Sequence, residues 1–205
     1  MSKFKTLFNR SDLIESQHII KILVKNTEGI KLLSSGNDND LIYPRSSIKI
    51  FQAIPFIQSN AANIYKFNSK KIALACSSHR AQNYHIKELK EWLNKIGVSK
   101  KTLKCGIHNP LNIKATEKLF RQNKSANELH NNCAGKHLAM ISSCIVNDYS
   151  IKDYLNFNHP HQIKIREVFE KFSNKKIAKK NYGVDGCSAP QYSFKIKDII
   201  NMLNN

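Results

Sequence analysis

The chain has 205 residues, 41% of them hydrophobic and 23% charged, enough apolar material for a packed core behind an ordinary water-facing surface. Lys and Arg outnumber Asp and Glu by 33 to 15, a formal charge of +18, but the lysines run along the whole length, as a general compositional bias would place them. That pattern predicts only non-specific, salt-sensitive attraction to nucleic acid. No run approaches the length of a membrane span, and MSKFKTLFNRSDL has neither the apolar stretch nor the small-residue cleavage site of a secretory signal. The five scattered cysteines are odd in number and make no disulfide framework, so the expectation is a cytoplasmic protein with reduced thiols.

In chain order, residues 19–26 and 30–35 are short apolar runs around Thr27-Glu28-Gly29 and predict a hairpin. A polar turn at 36–40 leads to YPRSSIKIFQAIPFIQS at 43–59. There Ile48, Phe51 and Ile54 recur every third position, predicting a helix interrupted near Pro55. KIALACS at 71–77 fits a buried strand or a short helix. The segment 84–96 carries Ile86, Leu89, Leu93 and Ile96 on one face and is stopped by Gly97, an amphipathic helix. A turn-rich connector at 104–113 precedes a short helix around 115–122. Residues 130–137, HNNCAGKH, read as a polar loop feeding a buried helix through LAMISSCIV, with Cys133 near its first turn. His159-Pro160-His161 opens a further helix, GVDGCSAP at 183–190 is a glycine-punctuated loop, and 194–203 is amphipathic. Helices and strands mix without regular alternation, which gives an α/β (α+β) class in one domain over 1–205.

Three groups carry chemistry. Ser46-x-x-Lys49 sits at a loop-to-helix junction. A serine needs a base, and a lysine one turn on can serve if burial lowers its pKa from about 10.4. The bland alternative is a capping serine and a solvated lysine. Ser77-Ser78-His79 ends an apolar run, where Ser78 could relay a proton or donate to a substrate carboxylate, or simply close a turn. Cys133 and Lys136 share a helix face by their three-residue spacing, and the helix N-terminus favours the Cys133 thiolate. With Cys187 they could bind a metal, although this spacing is not an ordinary zinc pattern and His130 or His137 could complete one instead. A Cys133 nucleophile with His137 as base remains the competing reading.

YPRSSIK at 43–49, ALACSSH at 73–79, CGIHNPL at 105–111, HNNCAGKH at 130–137 and GVDGCSAP at 183–190 together resemble, in order and spacing, the asparaginase II family, the thermolabile, Rhizobium-type bacterial L-asparaginases. The likeness runs over nearly the whole chain from about Asp12. It implies a fold similar to serine β-lactamases and glutaminases and hydrolysis of L-asparagine to aspartate and ammonia. It also implies Ser46 as nucleophile, Lys49 as its base, Ser78 in a second Ser-Lys pair, and a zinc held by Cys133, Lys136 and Cys187. Arg45, His79 and Asp185 would then bind substrate, Asp185 beside the metal or at the substrate amine. Backbone N–H groups near the start of the Ser46 helix would hold the oxyanion. Two differences stand out. Arg80-Ala81-Gln82 replaces a small residue, Gly and Glu. Relatives also continue through a C-terminal region that supplies further strands and the lysine partner of Ser78, so the expectation is a C-terminally truncated member with an incomplete sheet. Its alternatives are an inactive zinc-binding homologue, one part of a split enzyme or a homodimer, and, on charge alone, a basic nucleic-acid-binding module.

Overall fold

The computed structural model describes residues 4–205, so the first three residues of the N-terminal stretch lie outside it. The fold is mixed α/β, with antiparallel two-stranded ladders around a helical core. Strands β1 (Phe4–Arg10) and β2 (Leu13–Ile20) form a ribbon that pairs Phe4 with Ile20 and Arg10 with Leu13, with a register shift between Phe8 and Asn9. The sequence reading missed both strands, because their apolar and polar residues are not sorted onto two faces and both strands are exposed throughout.

The expected hairpin is present as β3 (Ile22–Lys25) and β4 (Lys31–Ser35), shorter than the apolar runs. Its turn follows from Asn26, whose side-chain oxygen accepts the N–H groups of Glu28 and Ile30, and from Gly29 at φ 80°, a conformation glycine adopts without steric cost. Strand β5 (Leu41–Ile42) pairs with β8 (Phe194–Lys195), while β6 (Tyr182–Val184) and β7 (Pro190–Tyr192) make a hairpin whose loop is the segment expected from GVDGCSAP.

A 3₁₀ turn at Arg45–Ile48 feeds α1 (Lys49–Gln58), which runs through Pro55 instead of being interrupted there. Pro55 removes one N–H in the second half of the helix, and its burial with Phe51 and Phe56 offsets that loss. After α2 (Ala61–Ile64), the ambiguous 71–77 stretch is helical, α3 (Ser69–Cys76), started by the Asn68 side chain on Lys71 N–H. Helices α4 (Asn83–Ile96), α5 (Ile113–Arg121), α6 (Ala134–Val146), α7 (Pro160–Ser173) and α8 (Ile196–Asn204) follow where the periodicity placed them, α4 ending on Gly97 in the left-handed region.

Helix α6 is the axis of the core, packed by α1, α3, α4 and α7. Its residues from Ala134 to Cys144 are all buried, as expected for a helix that is apolar on every side. Burial of Leu138, Met140 and Ile141 contributes about 1.5–3 kcal/mol each. The polar Ser142 is satisfied by accepting from Trp92 Nε1 at 2.9 Å and donating to Leu138 O at 2.8 Å. At Gly135 the α3 backbone comes so close that a Cβ would lie 2.3 Å from Leu74 O. That approach sets the N-terminus of α6 beside the C-terminal end of α3.

Candidate active site

Four segments meet at that crossing. The first is Tyr43–Lys49. Ser47 N–H and Oγ both engage Pro44 O, tightening the 3₁₀ turn, and Ile48 anchors it in the core. One backbone donor near the start of this helix, Ser47 N–H, is therefore already in use and is not free to hold an oxyanion. Ser46 is exposed, so the group opens to solvent, whereas Lys49 is 1% exposed. Arg45 stands at φ 55°, a left-handed conformation costing a non-glycine residue about 1–2 kcal/mol. It is held by an ion pair from Nη2 to Asp185 Oδ1 at 2.7 Å.

The second segment is the end of α3. Lys49 Nζ donates to Ser77 O at 2.9 Å and to Ser78 Oγ at 2.8 Å, and Ser78 Oγ donates to Ser46 Oγ at 3.0 Å. The lysine is drawn to the free carbonyl at the negative end of α3. Its link to Ser46 consequently runs through Ser78. Burial pushes the Lys49 amine down, against the opposing pull of Cys133 and with some help from Lys136. His79 follows in sequence but is buried in the core. Among the described residues its Nδ1 accepts from Ala81 N–H and its Nε2 has no partner. Burial first, then its neighbour His85 and Lys49, push its pKa down to about 3.

The third segment is the 130–137 loop. Asn131 is buried, donates to Cys105 O at 2.8 Å and accepts Cys133 N–H at 2.9 Å, fixing Cys133 as the N-cap of α6. One turn on, Lys136 is buried and its Nζ donates to Cys187 Sγ at 3.2 Å. The fourth segment is the β6–β7 loop, where Asp185 accepts from Gly186 N–H and from the Cys187 thiol. The hydroxyl of Tyr43 lies against Gly183, tying this loop to the Ser46 segment.

Interaction with the Cys187 thiol, opposed by burial and helped by Lys136 and Lys49, brings the Cys133 thiol down to about 6, while Cys187 is pushed up by its interaction with Cys133 and by burial. Cys105 and Cys144, buried without such donors, are both pushed up to about 12. Cys133 is therefore set apart from an inert core cysteine. Two sulfurs and an amine, all buried, with Lys136 Nζ 3.2 Å from Cys187 Sγ, form a donor set that fits a thiophilic cation such as zinc. Among the described residues no three His, Cys, Asp or Glu side chains converge as a metal set.

Thus Ser46, Lys49, Ser78, Cys133, Lys136 and Cys187 come together, with Arg45 and Asp185 at the edge. His79 makes no hydrogen bond to this group among the described residues. Asn131, which holds Cys133, and Tyr154, whose hydroxyl meets His137 Nδ1 at 2.6 Å, were not among the site residues expected from the sequence. Asn131 was visible only as one of the carboxamides of HNNCAGKH, and Tyr154 has no local signal at all. A groove of about 700 Å³ between α4 and α5 is lined by Lys87, Lys90, Lys118 and Lys124 and holds none of the six residues.

No helix among the described residues is long and apolar enough to cross a membrane. A comparison with curated proteins finds no match. A model of the family described as L-asparaginase II matches residues 7–204. The family acts on L-asparagine, a small molecule, by cleaving the side-chain carboxamide C–N bond. The chain belongs to the L-asparaginase II family and is an amidohydrolase.

Proposed function

We propose that Ser46 is the nucleophile of this amidohydrolase and that Lys49 acts on it through Ser78. The observation that carries this reading is the unbroken chain Lys49 Nζ–Ser78 Oγ–Ser46 Oγ, with links of 2.8 and 3.0 Å. As drawn, protons point from lysine toward Ser46. Loss of one proton from Lys49, which burial favours, reverses the chain: Ser46 donates to Ser78 and Ser78 to the amine. Ser46 Oγ then attacks the carboxamide carbon of L-asparagine, while its proton moves through Ser78 to Lys49. The same proton returns to the leaving nitrogen as the C–N bond breaks, releasing ammonia and leaving an aspartyl ester on Ser46. Water adds to the ester, its proton enters the relay, and the bond to Ser46 breaks to give aspartate.

Cys133, Lys136 and Cys187 would hold zinc, with Lys136 binding as the neutral amine and both cysteines as thiolates. When bound, such an ion supplies Lewis acidity and a point of attachment for a substrate carboxylate. Arg45, held by Asp185, presents a cation at the rim that suits the substrate α-carboxylate, and Asp185 suits its amine. His79 is read as a neutral wall behind Ser78. The free state of all five cysteines accords with a reducing, cytoplasmic setting. Residues 1–205 are read as one unit. That it works as a homodimer or with a complementing chain is favoured by the exposed apolar side chains of β1 and β2, among them Leu7, Phe8, Leu13 and Ile14.

The test is to quench the protein with acid during turnover of L-asparagine and read the mass of its peptides. An aspartyl adduct on the Ser46 peptide, absent from Ser46→Ala, is expected. An adduct on Cys133, or one that persists in Ser46→Ala, would overturn the assignment.

A further inference from the structure

We infer that the groove between α4 and α5 is a binding site for a nucleoside polyphosphate, a ligand that joins several phosphate charges to a flat ring. The groove holds about 700 Å³, a volume within the range of small-molecule sites. One wall is the face of α4 that carries Asn83, Lys87, Lys90 and Asn94, spaced three and four residues apart. The other is the α5 face of Ala115, Lys118 and Leu119, continued by Lys124.

Four lysines therefore line one cleft from both sides, and none of them has an ion pair among the described residues. Lys118 Nζ donates to Asn83 Oδ1 at 3.5 Å and Lys124 Nζ to Gln122 Oε1 at 3.3 Å, both neutral amides. Glu91 is the one carboxylate on the lining among the described residues, and its Oε2 already meets the buried Lys71 Nζ at 3.3 Å. A lysine-rich chain scatters cations over its surface, but these four share a concave one, where the fields of like charges add. The cleft keeps an excess of positive charge, and lysine ammonium groups hold phosphate as point charges.

Helix α5 shows what the cleft lacks. It is nine residues long with no buried residue, and a helix of that length is marginal in water without packing. Its hold is at the start, where Asn112 Oδ1 caps Ala115 N–H, Asn112 N–H donates to Arg80 O at 3.2 Å and Arg80 Nη2 donates to Leu111 O at 3.3 Å. Opposed lysines on the two walls disfavour closure of α5 onto α4. A polyphosphate neutralises both walls at once. The ring of the same ligand has Ile86 and Leu119 to cover and the carboxamide of Asn94, which makes no side-chain hydrogen bond among the described residues, to bond. Bound ligand thus clamps α5 against α4.

The probe is ATP, titrated calorimetrically into the full chain at 0.15 M salt, with tripolyphosphate and adenosine alongside. One-to-one binding of ATP, tighter than that of either fragment, is expected. Lys90→Gln with Lys118→Gln, one exposed lysine from each wall, should weaken it by about tenfold or more. Lys179→Gln with Lys180→Gln, which removes the same charge outside the groove, should leave it unchanged. Hydrogen exchange of peptides covering 113–121 should slow when ATP is added. Absence of saturable ATP binding, tripolyphosphate binding as tight as ATP, equal losses in the two double variants, or unchanged exchange over 113–121 each overturns the proposal. Neither readout uses turnover or zinc, so the outcome is separate from the Ser46 and metal assignments.

Discussion

Two neighbouring serines share one buried amine, and the order of contact divides their roles. Lys49 touches Ser78, and Ser78 touches Ser46, so the exposed hydroxyl is separated from the Lys49 amine by one intervening hydroxyl. Replacing Ser78 by alanine should leave Ser46 in place but cut the proton path. A fall in kcat of about 10²–10⁴-fold with KM little changed is expected in steady-state ammonia release. Equal loss from kcat and substrate binding would instead place Ser78 on the substrate.

Histidines contribute at the same scale through what they cannot do. His161 is 1% exposed, its Nε2 has no partner among the described residues, and burial, then His159, push its pKa down to about 3. Above the ordinary value of 6.5 both the folded and unfolded forms are neutral, and the ring costs nothing. As pH falls below 6.5 only the unfolded chain takes up the proton, so stability is lost progressively down to about 3. His79 adds a second loss over the same window. Each can approach about 1.4 kcal/mol per pH unit at its steepest. His161→Phe should therefore flatten the acid limb of a urea-melt pH series between pH 6 and 4 by roughly 1–2 kcal/mol. An acid limb identical to wild type would show that His161 is protonated in the folded state.

Among the elements, the α3–α6 crossing does most to bring the groups together. α3 carries Ser78 at its end, α6 carries Cys133 and Lys136 at its start, and Gly135 lets the two backbones touch. Gly135→Ala would set a methyl group against Leu74 O and force the helices apart, at an expected cost of about 1–3 kcal/mol. Equilibrium unfolding should show that loss together with weakened zinc binding, because Lys136 moves relative to Cys187. Unchanged stability would mean that α3 yields easily there.

The sequence made some of this legible. α4, α6 and α7 could be read because their apolar spacing agrees with their surroundings, and the five motifs carried the family. The strand-or-helix ambiguity at 71–77 had no local solution, since a short apolar run fits either period and only packing against α6 decides it. The continuation of α1 through Pro55 was equally hidden, as tertiary burial overrides a local penalty there. Contacts between residues far apart along the chain, such as Lys49 with Ser78 or His137 with Tyr154, leave no periodic trace.

On the scale of the whole molecule, the core and the ribbon behave differently. The core is closed around α6, but β1 and β2 expose apolar side chains along their length, with Leu13 77% exposed. Two-stranded ladders also leave unpaired backbone edges. Both features favour assembly. Light scattering over a dilution series is expected to show association that Leu7→Lys with Leu13→Lys reduces. A strictly monomeric wild-type chain would count against it.

The site itself sits where the closed part of the molecule opens, with Ser46 at the surface and Lys49 buried beneath it. The most direct measurement is ammonia release from L-asparagine, with L-glutamine as comparator, by the wild-type chain and by Ser46→Ala. The account predicts turnover of L-asparagine that Ser46→Ala loses by several orders of magnitude while keeping its fold. Turnover that survives in Ser46→Ala would contradict it.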